Sequence, residues 1–144
     1  MDRLRIMRAH SLLAYVDGAA RGNPGPAAAG VVLQTLSGET VKTLSIALGS
    51  TTNNVAEYAA LVLALQEALL LGVKELHVHT DSELVARQWS GDYKVKDASL
   101  RVLFTLATHL KQGFQKLQVT HVPRERNKLA DEAANRALDS QALF

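Results

Sequence analysis

The chain has 144 residues, of which 47% are hydrophobic and 21% charged, with a net charge of +2. That is enough apolar content for one domain with its own core. There is no cysteine, which excludes disulfides and thiolate metal sites. No apolar run suits a signal-peptide core or a bilayer span, because the richest, Val55 to Leu71, is broken by Glu57, Gln66 and Glu67. A cytoplasmic protein with no membrane association is expected, and a pI of about 9.0 permits a polyanionic partner without requiring one.

Residues 1–10, with Arg3, Arg5 and Arg8, read as a basic leader, and residues 11–144 as a single domain without repeats or linkers. Leu12 to Asp17 is a short apolar run stopped by Gly18, which predicts a strand. The turn-rich Gly22-Asn23-Pro24-Gly25-Pro26 follows, then strands over Ala29 to Leu36 and Val41 to Leu48, separated by Ser37-Gly38-Glu39. Short connections make these three an antiparallel meander. Asn54 to Leu71 has helical spacing and ends at Gly72. Glu75 to Thr80 alternates as a fourth strand, Ser82 to Trp89 and Ala98 to Gln112 are helices stopped by Gly91 and Gly113, Lys116 to Val122 is a fifth strand, and Lys128 to Leu138 a last helix. The order βββ-α-β-α-α-β-α predicts an α/β fold: a five-stranded mixed sheet, three strands antiparallel and then parallel, with helices on both faces.

Such a sheet gathers side chains at the ends of its strands. Asp17 and Asp81 are expected at strand ends, and Glu57 and Asp131 in the first turns of helices. Carboxylates are hard ligands suited to Mg²⁺, and four of them can hold two ions about 3.5–4 Å apart for displacement at phosphorus. Each acid has a plainer explanation as well. Asp17-Gly18 is a turn pair, Asn54 and Glu57 have capping-box spacing, Asp81-Ser82 suits a helix cap, and Asp131 suits a helix dipole. The case therefore rests on the four together with their neighbours.

Those neighbours are Tyr15-Val16-Asp17-Gly18-Ala19, Gly22-Asn23-Pro24-Gly25-Pro26, Thr51-Thr52-Asn53-Asn54-Val55-Ala56-Glu57, Thr80-Asp81-Ser82 and His121-Val122-Pro123-Arg124 through Asp131, in this order. The set resembles type 1 ribonuclease H over about residues 11–138. The resemblance implies a ribonuclease H-like fold and an endonuclease that cuts the RNA strand of RNA–DNA hybrids, leaving 5′-phosphate and 3′-hydroxyl ends. It implies a catalytic, metal-binding tetrad of Asp17, Glu57, Asp81 and Asp131 with two Mg²⁺ ions, Mn²⁺ being a candidate substitute. Asn23, Asn53 and Asn54 would touch the minor groove, Thr52 a DNA phosphate, and the backbone of Gly18 and Ala19 the RNA. Physics agrees, since a wide minor groove displays the 2′-hydroxyl that tells RNA from DNA, and amides both donate and accept. One of Asn53 and Asn54 is expected to cap the helix.

From Gly91 to Lys128 eight basic residues face three acidic ones, a surplus of +5; phosphate binding is the functional reading, and a solvated helix face is the equal alternative for Arg101, Lys111 and Lys116. Tyr93, Lys94 and Lys96 form the best placed group, in a loop with an aromatic beside the charges. Many family members carry a further histidine just after the His-Val-Pro segment. Here that place reads Arg124-Glu125, so Arg124 or Arg126 is expected to act on phosphate charge in its stead, not as a base. His121 is expected to be a polar strand-end residue. Gly91 to Ala98 is too short for the basic protrusion of many bacterial members, so the chain resembles the compact archaeal-type branch. Double-stranded RNA is then a further candidate substrate, and salt-sensitive binding is expected. Beginning at Met1 without a polymerase segment, the chain is expected to be a free-standing, monomeric enzyme. His77 and His79 share one strand face and are expected to be packed or hydrogen-bonded instead of holding a metal, and Trp89 is expected in the core.

Overall fold

A computed structural model describes residues 10–142; the basic leader expected over residues 1–10 lies outside it except for His10. The elements run β1 (Ser11–Ala20), β2 (Gly25–Gln34), β3 (Thr40–Thr51), α1 (Asn53–Leu70), β4 (Glu75–Thr80), α2 (Glu83–Ser90), α3 (Ala98–Lys111), β5 (Lys116–His121), a single 3₁₀ turn (Arg124–Arg126) and α4 (Lys128–Ala142). The sheet order is β3-β2-β1-β4-β5. β1 is antiparallel to β2 and parallel to β4, and β5 continues parallel to β4. The mixed five-stranded sheet expected from the sequence is therefore present, as are all nine expected strands and helices.

Two glycines show which helix covers which face. A Cβ on Gly18 would lie 2.1 Å from the carbonyl carbon of Ala56 in α1. A Cβ on Gly30 would lie 2.1 Å from the carbonyl oxygen of Ala130 in α4. Gly30 is the Cα partner of Asp17, and neighbouring residues of a strand face opposite ways. Helix α1 therefore lies on the face of Gly18, and α4 on the face of Asp17. The main core fills the α1 side, with Leu12, Ala14 and Val16 of β1, Val31 and Leu33 of β2, Val78 of β4, and Tyr58, Leu61 and Leu65 of α1. Helix α3 packs outside α1. Double coverage explains why Ala27 to Leu33 is an unbroken buried run instead of an alternating one.

β1 does not stop at Asp17. It runs on to Ala20, paired with β2 through Ala20↔Ala27, so Asp17-Gly18 is strand and not a turn. The glycine is there because α1 touches the strand backbone. Helix α1 is capped by Thr52, whose Oγ1 accepts the N–H of Val55 at 3.2 Å. Neither Asn53 nor Asn54 supplies the cap, contrary to the expectation that one of them would; both are exposed. His77 and His79 share a face as expected, with Thr120 hydrogen-bonded to His77 at 2.7 Å and Tyr15 packed on His79. Trp89 is partly buried against the core and edge-on to Phe104.

The contact at Gly30 leaves no room for a methyl group. Gly30→Ala is expected to push α4 away from β2 and lower stability by about 1–3 kcal/mol, the usual range for overpacking, read as the shift in urea midpoint. A midpoint within error of wild type would contradict the close contact.

Candidate active site

Asp17 and Glu57 are both buried, at 6% and 5% exposure. Asp17 is carried by β1 and Glu57 by the second turn of α1, while Asp81 follows the last residue of β4. Each of the three offers a carboxylate oxygen, and these oxygens lie within 4.8 Å of one another. Among the described residues this is the one group of three or more potential metal-ligating side chains, so the His77–His79 pair gains no third ligand. Asp131, in the first turn of α4, stands outside the trio but within hydrogen-bonding reach of Asp17. Asn135 holds one Asp131 carboxylate oxygen at 3.2 Å.

The plainer roles of these acids are taken by others. Thr52 caps α1 and Ser82 caps α2, its Oγ accepting from Val85 N at 3.2 Å. Glu57 instead accepts the backbone N–H of Gly18, thirty-nine residues away. Among the described residues, no lysine or arginine forms a salt bridge with any of the four. Burial first, then the charges of Glu57 and Asp81 and contact with the Asp131 and Glu57 carboxyls, push the Asp17 carboxyl far above the usual range. Burial raises Glu57 too, and the charge of Asp81 adds to it, partly opposed by the Gly18 N–H and more weakly by Asp17 and the Arg124 charge. Crowded carboxylates, two of them buried, without a salt-bridge partner among the described residues suit a hard divalent cation. The donor set therefore fits Mg²⁺ or Mn²⁺.

A cleft of about 490 Å³ opens over Glu57 and Asp81, lined also by Asn53, Asn54, Ser82, His121 and Arg124. Asn23 reaches it indirectly, its Oδ1 accepting the N–H of Asn53 at 3.0 Å. Gly18 lies at the Glu57 carboxylate, and Ala19 packs towards Ala28, Ala137 and Leu138. Tyr93 and Lys94 line a second concavity of about 540 Å³ with Arg101, whereas Lys96 is exposed in the same loop. The loop is tethered: Gln88 Nε2 donates to the carbonyl of Lys94 at 3.1 Å, and the hydroxyl of Tyr58, next to Glu57, donates to Gln88 Oε1 at 2.5 Å. Arg126 turns elsewhere, lining a cavity with Tyr15, His79 and Val122. His121, set aside in the sequence, belongs to the cleft, its Nε2 lying 3.3 Å from the carbonyl oxygen of Asp81. Asn127, buried and bonded to the carbonyl of Val16, was also missed, for nothing local marks it.

A family profile described as reverse transcriptase-like matches residues 15–137. A ribonuclease HI of Halobacterium salinarum is 45% identical over 88% of this chain and 63% of its own length. The chain belongs to the type 1 ribonuclease H family. The crystal structure of RNase H1 from H. salinarum superposes with a TM-score of 0.88 at 44% identity, covering 90% of this chain and 98% of that one. LC11-RNase H1, solved in complex with an RNA/DNA hybrid, gives a TM-score of 0.87 at 44% identity over 92% of this chain and 99% of its own. The chain spans 63% of the curated halobacterial relative and 35% of a mycobacterial one that is 46% identical.

Burial and crowding give Asp17 and Glu57 folded-state pKa values above their unfolded ones. The stability this contributes is complete below the unfolded carboxylate range, about pH 4, and is lost as pH rises through the raised values. Metal-free protein is therefore expected to lose thermal stability between about pH 5 and pH 8. Asp17→Asn is expected to flatten that loss and to raise stability at pH 8 by at least about 1 kcal/mol, read as a higher unfolding midpoint. A variant with the wild-type pH profile would contradict the crowding.

Proposed function

We propose that this chain is an endonuclease that hydrolyses the RNA strand of RNA–DNA hybrids with divalent metal ions, Mg²⁺ first among them, leaving 5′-phosphate and 3′-hydroxyl ends. The observation that carries this is the convergence of Asp17 with Glu57 and Asp81, the latter two lining a cleft edged by exposed amides and one arginine. The solved hybrid complex of LC11-RNase H1, 44% identical, supports the same substrate.

Asp17, Glu57, Asp81 and Asp131 would hold two ions. Bound there, the ions would lower the pKa of the attacking water and neutralise charge on the leaving oxygen. The rest belongs to the chain. Asn53 and Asn54, free of capping duty, present amides to a minor groove, where the 2′-hydroxyl distinguishes RNA from DNA. Thr52 and Asn23 steady that turn, and Thr52 is the candidate DNA-phosphate contact. The backbone of Gly18 and Ala19 approaches the RNA. Arg124 neutralises phosphate charge at the cleft. His121, the cleft's imidazole, is the candidate proton carrier of the reaction. Tyr93, Lys94, Lys96 and Arg101 form a neighbouring basic surface for the phosphate backbone. Arg126 is an outer contact, because its side chain turns from the cleft. The proposed protein is a cytoplasmic monomer, and double-stranded RNA is a candidate second substrate.

End-labelled hybrid, single-stranded RNA, double-stranded RNA and duplex DNA, each with Mg²⁺, Mn²⁺ or EDTA, test the proposal. Metal-dependent cutting of the hybrid's RNA strand is expected, and it is abolished in Asp17→Asn while hybrid binding persists. An Asp17→Asn protein that still cuts would refute the tetrad. His121→Ala is expected to lower kcat by about 100-fold with little change in KM, whereas Arg124→Ala chiefly raises KM and flattens its salt dependence. The reverse pattern would exchange their roles.

A further inference from the structure

Asn127 is 1% exposed. Its Nδ2 donates to the carbonyl of Val16, the residue before Asp17, at 2.8 Å, across 111 positions of sequence. Its own carbonyl accepts the N–H of Asp131 at 3.1 Å. One residue is thus bonded to the strand that carries the first acid and to the backbone of the last. Asn127 immediately precedes α4, where an asparagine ordinarily turns its side-chain oxygen onto the free N–H groups of the helix. Here Oδ1 is buried without a partner among the described residues, and the amide is turned sideways onto β1. A serine or aspartate would cap α4 as well, but neither offers an N–H that reaches the strand. The backbone contact at Gly30, opposite Asp17, brings the same helix close to the sheet.

We propose that Asn127 is a positioning residue, whose carboxamide clamps the start of α4 to β1 and so holds Asp131 against Asp17 despite their repulsion. This rests on reading the four acids as one metal-binding set. Groups that orient ligating side chains commonly change metal affinity by about 10–100-fold when removed. A helix cap alone has no such effect.

The test is a double-mutant cycle between Asn127→Ser and Asp17→Asn, read by thermal unfolding of metal-free protein in EDTA. Serine keeps the capping ability and lacks the reach. Asp17→Asn is expected to raise Tm clearly when residue 127 is asparagine and much less when it is serine, because the unclamped acids spread apart. Mg²⁺ protection against unfolding should then need about 10–100-fold more metal in Asn127→Ser, while metal-free binding of hybrid stays unchanged. Additive Tm effects, or a wild-type Mg²⁺ midpoint in Asn127→Ser, would overturn the clamp and leave Asn127 as a cap. Failure of Asn127→Ser to fold would overturn it as well, in favour of a purely structural role. The cycle needs neither metal nor substrate. A wild-type protein that cuts no hybrid would therefore refute the proposed function while leaving this result readable.

Discussion

Asp17, Glu57 and Asp81 repel one another within 4.8 Å, two of them out of water, and the rest of the molecule is arranged around that crowding. Removing two carboxylates from water without a cation opposes folding, so the surrounding structure has to hold them. Glycines 18 and 30 let helices touch the strand backbone on either side of Asp17. The Gly18 N–H meets Glu57, Asn127 ties β1 to the start of α4, and Thr52 and Ser82 take the caps that would otherwise draw on the acids. The core on the α1 side, where Tyr58 and Leu61 follow Glu57 on the same helix, supplies the rigidity that lets strain persist at one edge.

The same edge sets what can bind. Strands β1 and β4 run parallel, so Asp17 and Asp81 arrive together, and the first turns of α1 and α2 bring amides and a serine to the rim. Beyond the rim, the hydrogen-bond chain from Tyr58 through Gln88 to the Lys94 carbonyl joins the basic loop to the helix that carries Glu57. A polyanion lying along this surface would meet the basic loop at a distance from the acids that this chain fixes.

Much of this was legible in residue order. Gly72, Gly91 and Gly113 mark helix ends, so the element order and sheet type followed from punctuation and periodicity. The four acids stood out only as a set, because each alone suits a cap or a turn. What stayed hidden was long-range. Asp17-Gly18 reads as a turn until α1 is seen against Gly18. Asn54 and Glu57 read as a capping box until Gly18 claims Glu57 and Thr52 takes the cap. Arg124 and Arg126 read alike in the sequence, and only the 3₁₀ turn that they share sends one to the cleft and the other away from it. The role of Asn127 depends on a carbonyl 111 residues away, which no local pattern records.

The fold builds a carboxylate cluster whose donor set fits a divalent cation. Burial and crowding raise the Asp17 and Glu57 carboxyls above the usual range, so a metal bound there would displace protons. Calorimetric titration of Mg²⁺ into the metal-free protein near neutral pH, repeated in buffers of different ionisation enthalpy, measures this directly. Saturable binding is expected, with net proton release that shrinks on going to higher pH and falls in Asp17→Asn. Binding without proton release, or release unchanged by Asp17→Asn, would contradict a cluster completed by metal.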